Sequence, residues 1–196
     1  MLAITGFRSR ISQEVIRLLW RKDYAQRFDP AMSPLDANRY LFCAGVLAGK
    51  SAATVQDGEI EAMLSVNFSR VVLDCERILE ANPEARICII GSESGYSGSF
   101  DRIYSGSKAA IHSYIETRRL RPHQQLVGVA PGIIEDAGMT LRRTDHANLE
   151  KRKACHPKQR FVTSEEVARL ILFLLYEDRG YISNTVIRMN GGERAR

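Results

Sequence analysis

Residues 104–108 read YSGSK, which sets a phenol and an ammonium four positions apart. If Tyr104 opens a helix, Lys108 stands one turn further along the same face, close enough for its charge to be felt at the phenol oxygen. A phenol with a pKa near 10 is a poor base at neutral pH, but a neighbouring positive charge favours phenolate and lowers that pKa. Such a pair can exchange a proton with a substrate hydroxyl or carbonyl oxygen. The same spacing also suits a solvated helix face, so its meaning depends on what stands around it. Twelve residues upstream, Ser92 follows the apolar run RICIIG, where its hydroxyl can donate to the same substrate oxygen. No metal is expected: Cys43, Cys75, Cys88 and Cys155 lack CxxC spacing, and His146 and His156 have no partners at ligand spacing.

The elements that must position these groups alternate. LAIT at the start reads as a buried strand turning at Gly6, and ISQEVIRLLWRK carries Ile11, Val15, Ile16, Leu18 and Leu19 at helical spacing as far as Lys22. A weakly patterned stretch with Pro30 and Pro34 follows, then the strand candidate RYLFCAGV, ending at Gly45. From about 58 to 80 a long helix places Ile60, Met63, Leu64, Phe68, Val71, Val72, Cys75, Ile78 and Leu79 on one face. RICIIG is the near-continuous apolar run of a strand buried on both sides. A helix over about 102–119, the strand QLVGVAP, a helix over about 164–176 and a last strand near 181–189 complete the pattern. Alternation of this kind implies one α/β domain over residues 1–196, a doubly wound parallel sheet with helices on both faces. Ligands gather at the carboxyl edge of such a sheet, here the segments Thr5 to Ser12, Gly91 to Tyr104 and Pro131 to Thr140.

At 196 residues and 44% apolar composition the chain can close one sizeable core. No apolar run reaches the length of a signal peptide or a membrane span, LILFLLY at 170–176 included, so a soluble, cytoplasmic protein is expected. A net charge of +5 and a pI near 9.2 favour anionic partners. Nucleic acid is disfavoured because aromatic residues do not interleave with the basic ones. Residues 141–160 hold seven Lys or Arg against two acids and read as an exposed loop or substrate lid with one irregular helix. Their charge suits a small anionic substrate, although a charge run of this size is more often a solvated, mobile surface.

Taken together, these motifs resemble those of the short-chain dehydrogenase/reductase family, in order and from end to end. The family's strand-end serine matches Ser92 in IIGSESG, its Tyr-x-x-x-Lys matches Tyr104 and Lys108, and its helix asparagine matches Asn67 in SVNFS. Its Asn-Asn-Ala-Gly matches FCAG, with Ala44 and Gly45 retained; its Pro-Gly matches Pro131 and Gly132, and its closing strand matches VIRMNGG. The resemblance implies a Rossmann-like sheet and a nicotinamide-dependent oxidoreductase interconverting a carbonyl and an alcohol. In it Tyr104 would be the general acid/base and Ser92 would polarise the substrate oxygen. Lys108 would hold the nicotinamide ribose and depress the tyrosine pKa, and Asn67 would hold a water linking Lys108 to solvent. A polar residue satisfied by nearby backbone is the other account of Asn67. The family's oligomers pack the two long helices that correspond to residues 60–80 and 104–119, which implies a homo-oligomer.

The departures cluster around the cofactor. The family's Thr-Gly-x-x-x-Gly-x-Gly is here TGFRSRIS: Thr5 and Gly6 remain, while Arg10 and Ser12 stand at the second and third glycine positions. Arg8 and Arg10 favour NADP over NAD, since guanidinium pairs with phosphate, although a solvated basic turn fits them as well. Between Lys22 and Arg39 lie about sixteen residues, where a strand-helix-strand unit needs roughly 30. The sheet should therefore lack one or two strands in its cofactor-binding half, with YAQRF at 24–28 as a residual strand. Phe42 and Cys43 replace the two asparagines, and Asp136 replaces a threonine, placing a carboxylate that repels phosphate unless an arginine meets it. Two outcomes fit: an oxidoreductase binding NADP or NAD weakly, or a homologue without redox activity, either catalytically silent and serving as a binding or scaffold subunit or a proton-transfer enzyme without nicotinamide.

Overall fold

The strands form because their apolar residues come in short runs bounded by turns, and they pair in parallel because a helix intervenes between most of them. The computed structural model of the chain describes residues 1–19 and 23–193. In chain order the elements are β1 (Leu2–Thr5), α1 (Arg10–Leu19), β2 (Ala25–Arg27), β3 (Arg39–Phe42), α2 (Asp57–Leu64), α3 (Arg70–Ala81), β4 (Arg86–Ile90), α4 (Ser94–Ser97), α5 (Arg102–Thr117), β5 (Gln125–Pro131), α6 (Gly138–Leu141), α7 (His146–Cys155), α8 (Ser164–Leu172) and β6 (Thr185–Met189). All strand pairs are parallel, in the order β2-β1-β3-β4-β5-β6. Since β2 and β3 leave β1 on opposite sides, the switch point of the sheet lies between the carboxyl ends of β1 and β3.

Alternation along the strands divides the core. Leu2, Ile4, Leu41, Cys88, Val127 and Val129 face α1 and α8, while Ala3, Tyr40, Ile87, Ile89 and Leu126 face α3 and α5. The expected strands and helices are present, with different bounds. β3 stops at Phe42 rather than Gly45, and β6 begins only at Thr185. The first helix is described to Leu19; its expected end near Lys22 lies outside the described residues. The expected single helix over 58–80 is broken by a π-helical turn at Ser65–Ser69, which rotates the face so that Leu64 is exposed. A second π turn, Phe173–Glu177, prolongs α8, and the carbonyls of Leu174 and Leu175 accept from Arg86 and Arg39 at the amino edge of the sheet. Residues 141–160 are more regular than expected: α7 is a ten-residue helix anchored by buried Leu149. Among the described residues no helix is long and apolar enough to cross a membrane.

The shortened half closes by side-chain bonds to a turn. β2 has three residues and makes the sheet edge against β1. The chain from there to β3 is fastened by buried Asn82 at the end of α3, whose Nδ2 donates to the Pro34 and Ala37 carbonyls at 2.8 and 2.9 Å. The Tyr40 hydroxyl reaches the same two carbonyls. An amide side chain thus stands in for strand pairing, and its removal leaves buried carbonyls short of donors. Asn82→Ala should cost about 2 kcal/mol or more in unfolding free energy, measured by urea denaturation.

Candidate active site

The carboxyl ends of β3 and β4 and the first turns of α5 converge, and the buried carboxylate of Asp101 ties the loop after β3 to α5. Its Oδ1 accepts the Tyr104 N–H at 2.9 Å as the N-cap of α5, and its Oδ2 accepts the Ala48 and Gly49 N–H groups at 3.0 and 3.1 Å. The loop after β3 is thereby tied to the helix that carries the tyrosine and lysine. Asp three residues before Tyr104 is a legible N-cap signal that motif matching passes over.

Tyr104 lies in the first turn of α5, half-buried, and Lys108 one turn on is buried, with Nζ 5.8 Å from the tyrosine ring centre. Nζ donates to the Ile90 carbonyl at the end of β4 at 2.8 Å. Burial brings the Lys108 pKa down to about 8, against a smaller opposing effect of Cys43. Ser92 Oγ is 2.7 Å from the Ser94 hydroxyl and accepts the Ser94 N–H at 3.2 Å, and the Ser92 side chain is near enough to the Tyr104 phenol to oppose a rise in its pKa. The expected depression of the Tyr104 pKa is not found. Burial raises it, the Ser92 side chain pulls back, and the Asp101 carboxylate raises it further. Lys108 turns its ammonium to a carbonyl rather than to the phenol, so desolvation wins.

Asn67 sits inside the π turn, buried, with Oδ1 accepting the Val46 N–H and Nδ2 donating to the Val46 carbonyl and the Ser107 hydroxyl. It is satisfied mainly by backbone, and it clamps the post-β3 loop onto α5. Gly45 in that loop borders the site: a Cβ there would stand 3.7 Å from Asn67 Oδ1, 3.8 Å from Lys108 Nζ and 3.9 Å from Met139 Cε on α6.

At the switch point the fingerprint residues are turned inward. The Thr5 hydroxyl accepts from the Cys43 and Ala44 N–H groups. Gly6 has φ +63°, and a Cβ on it would come within 2.6 Å of Ala44 N, so the strand ends approach too closely for any other residue. Ser12 is fully buried and accepts from the Ser9 hydroxyl, which in turn contacts Cys43 Sγ at 3.1 Å. Ser12 therefore faces the core, where its small side chain fits under the turn, and not the mouth of the cleft. Arg8 is exposed. Arg10 pairs with Asp136 at 3.3 Å and Glu14 at 3.2 Å. The Asp136 carboxylate does find its arginine; although burial opposes ionisation, the Ser164 N–H and Arg10 hold its pKa down. The Pro131 carbonyl accepts from Glu93 N and Gly132 N donates to the Met189 carbonyl, so this pair joins strand ends.

These residues fit the ribose and nicotinamide end of a dinucleotide, because Ile90 takes only one of the three Lys108 N–H groups and Gly45 places no side chain beside that ammonium. Beside the first turn of α1, Arg8 is exposed and Arg10 is held by Asp136 and Glu14, so a phosphate there would have to draw Arg10 away from Asp136. In the segment 141–160 Arg143, Arg152, Lys153 and Arg160 are engaged with Asp145, Glu193, Glu135 and Glu166. Four of its seven basic residues are thus already neutralised. A cavity of about 230 Å³ lies between the end of that region and β6, rimmed by Lys158 and Arg160, and a groove of about 550 Å³ runs along α4 and α5. Neither is lined by Ser92, Tyr104 or Lys108. Among the described residues no group of three or more His, Cys, Asp or Glu could hold a metal ion.

A family model described as enoyl-(acyl carrier protein) reductase matches residues 37–193, beginning just ahead of β3 and leaving out the shortened stretch. The 3-oxoacyl-(acyl-carrier-protein) reductase FabG of Aquifex aeolicus is 33% identical over 156 residues, 76% of this chain and 62% of the relative. The acetoacetyl-CoA reductase of Allochromatium vinosum is 29% identical over 159 residues, 76% of this chain and 63% of the relative. The chain thus spans somewhat under two thirds of the length of these curated relatives. Among solved structures, a short-chain dehydrogenase/reductase from Brucella melitensis superposes with a TM-score of 0.84 at 20% identity, over 100% of this chain and 96% of that one. A putative 2-deoxy-D-gluconate 3-dehydrogenase from Agrobacterium tumefaciens with bound NADP gives 0.82 at 17% identity, over 100% and 96%. At these identities the likeness concerns the fold.

The buried ammonium makes stability depend on pH. Lys108 titrates at about 8 in the folded chain against an ordinary 10.5, so between these values the unfolded chain holds a proton that the folded chain has released, and stability rises with pH. Unfolding free energy should climb from pH 8 to pH 10.5 by on the order of 2 kcal/mol relative to Lys108→Met, in which this rise is lost. The difference between the two proteins, followed by urea titration, separates Lys108 from the tyrosines that titrate nearby.

Proposed function

This chain belongs to the short-chain dehydrogenase/reductase family, and from that premise we propose that it interconverts a carbonyl and an alcohol with NADP or NAD as the redox partner. The observation that carries the reading is the gathering of three groups at the carboxyl edge: the Ser92 side chain acts on the Tyr104 phenol, and the Lys108 ammonium lies 5.8 Å from the tyrosine ring centre, one turn along the same face of α5. When bound, the dinucleotide supplies or accepts the hydride. Ser92 turns its hydroxyl from Ser94 to a substrate carbonyl oxygen and donates to it, while Tyr104 gives its proton to that oxygen as it becomes an alcohol. Because burial holds the Tyr104 pKa up, the phenol is protonated at neutral pH and serves most directly as an acid, in the direction of reduction. Lys108 holds ribose hydroxyls, and Asn67 fixes the loop beside it, with a water-borne proton path from Lys108 to solvent as its further role. The relatives are named as reductases of 3-oxoacyl-(acyl-carrier-protein) and acetoacetyl-CoA, which supports a 3-oxoacyl thioester as substrate. Its anionic carrier would meet the basic segment at 141–160. The exposed Leu64 and Leu73 on α2 and α3 support a homo-oligomer through the long helices.

A second reading, a silent homologue acting as a binding subunit, is favoured by one observation: Arg10 is already held by Asp136 and Glu14 where phosphate charge would be met. Calorimetric titration with NADPH and NADH separates the two readings. Micromolar binding supports the oxidoreductase, and no heat at millimolar ligand leaves the subunit. Given binding, Tyr104→Phe should abolish turnover of acetoacetyl-CoA while changing cofactor affinity less than about threefold. Asp136→Asn removes a carboxylate that competes with phosphate for Arg10 and should tighten NADPH binding about three- to tenfold, with the gain fading at high salt.

A further inference from the structure

One buried titratable group has no part in the chemistry above. His112 lies one turn beyond Lys108 on α5 and is 3% exposed. Its Nε2 is 3.3 Å from the Ser92 backbone nitrogen and accepts that N–H. The neutral ring therefore carries its proton on Nδ1, and Nδ1 is buried without a hydrogen-bond partner. Burial, then the Lys108 charge, draws the His112 pKa down to about 4 against Glu93, so the acceptor is available throughout the neutral range.

The segment GSESGY at 91–96 is folded around this ring. A Cβ on Gly91 would overlap the imidazole, and one on Gly95 would lie 2.5 Å from Cε1, so the slot exists only because both positions are glycine. Tyr96 stacks on the ring at 4.6 Å between centroids, and the Arg188 guanidinium lies 4.7 Å over the other ring of that stack. Arg188 pairs in turn with buried Glu93, whose N–H is bonded to the Pro131 carbonyl at the end of β5. An aliphatic side chain could fill the slot without burying an unpaired N–H, which costs stability. The acceptor at Nε2 is what an imidazole adds.

We propose that His112 is a positioning residue for Ser92: by accepting the serine's N–H inside the glycine slot, it fixes the backbone from which the Ser92 hydroxyl, 2.7 Å from that of Ser94, is presented beside Tyr104. The consequence for turnover rests on the function proposed above; the geometric claim does not. His112→Gln keeps an acceptor at about the reach of Nε2, and His112→Met has the same length without one. In the full chain, without cofactor, amide exchange at Ser92 should match wild type in the Gln variant. It should be at least about tenfold faster in the Met variant while Ile87 to Ile89 stay protected. With NADPH and acetoacetyl-CoA, the Met variant should lose about five- to tenfold in kcat at nearly unchanged KM, and the Gln variant should recover it. Equal Ser92 exchange in all three proteins, or a loss that Gln does not rescue, overturns the proposal. So does a wild-type imidazole nitrogen spectrum with the proton on Nε2, a measurement that needs no variant to fold. If wild type turns nothing over, the oxidoreductase reading fails, and the exchange data still decide the role of His112.

Discussion

One buried carboxylate sets the geometry on which the site depends. Asp101 closes the N-terminus of α5 through the Tyr104 N–H and holds the loop after β3 through Ala48 and Gly49. An N-cap commonly satisfies only its own helix; this one spans two segments separated by about fifty residues. Because the Tyr104 backbone is fixed there, the phenol, the Lys108 ammonium and the Asn67 clamp acquire their spacing together. Ser92 arrives from β4, and its backbone is met from the opposite side by His112 on the same helix. The candidate chemistry is thus carried by one helix and two strand-end loops that the helix itself holds.

The amino-terminal third follows a different economy. With only three residues of β2 against β1, the edge of the sheet is short, and Asn82 and Tyr40 replace strand pairing with side-chain bonds to the Pro34 and Ala37 carbonyls. At the adjacent switch point, hydroxyl groups that could face a ligand are turned to the protein: Thr5 to backbone amides, and Ser9 and Ser12 to each other and to Cys43. The α5 side and the α1 side of the carboxyl edge therefore differ in kind. The first is preorganised by buried bonds, and the second is closed by contacts that include an exposed ion pair, Arg10 with Asp136, which is weak and screened by salt.

Burial, more than charge pairing, governs the titrating groups. Lys108 and His112 both fall below their ordinary values and Tyr104 rises above its own, each with desolvation as the largest cause. A lysine and tyrosine one turn apart suggest mutual stabilisation of opposite charges, but an environment this dry favours the neutral form of each.

Read as residues alone, the chain already determined its class: alternating apolar runs and amphipathic segments permit little besides a parallel α/β sheet, and the missing length before Arg39 required that sheet to be shortened. It also nominated Ser92, Tyr104, Lys108 and Asn67, because spacing along a helix and position after a buried strand are local properties. Local pattern could not reveal that Ser12 points into the core, that Leu64 is rotated outward by a π turn, or that Asp136 meets Arg10. Nor could it reveal that Asp101 and His112 hold the site from either side. Those facts depend on which segments the sheet order brings together, and on desolvation, which exists only once the chain has closed around a group.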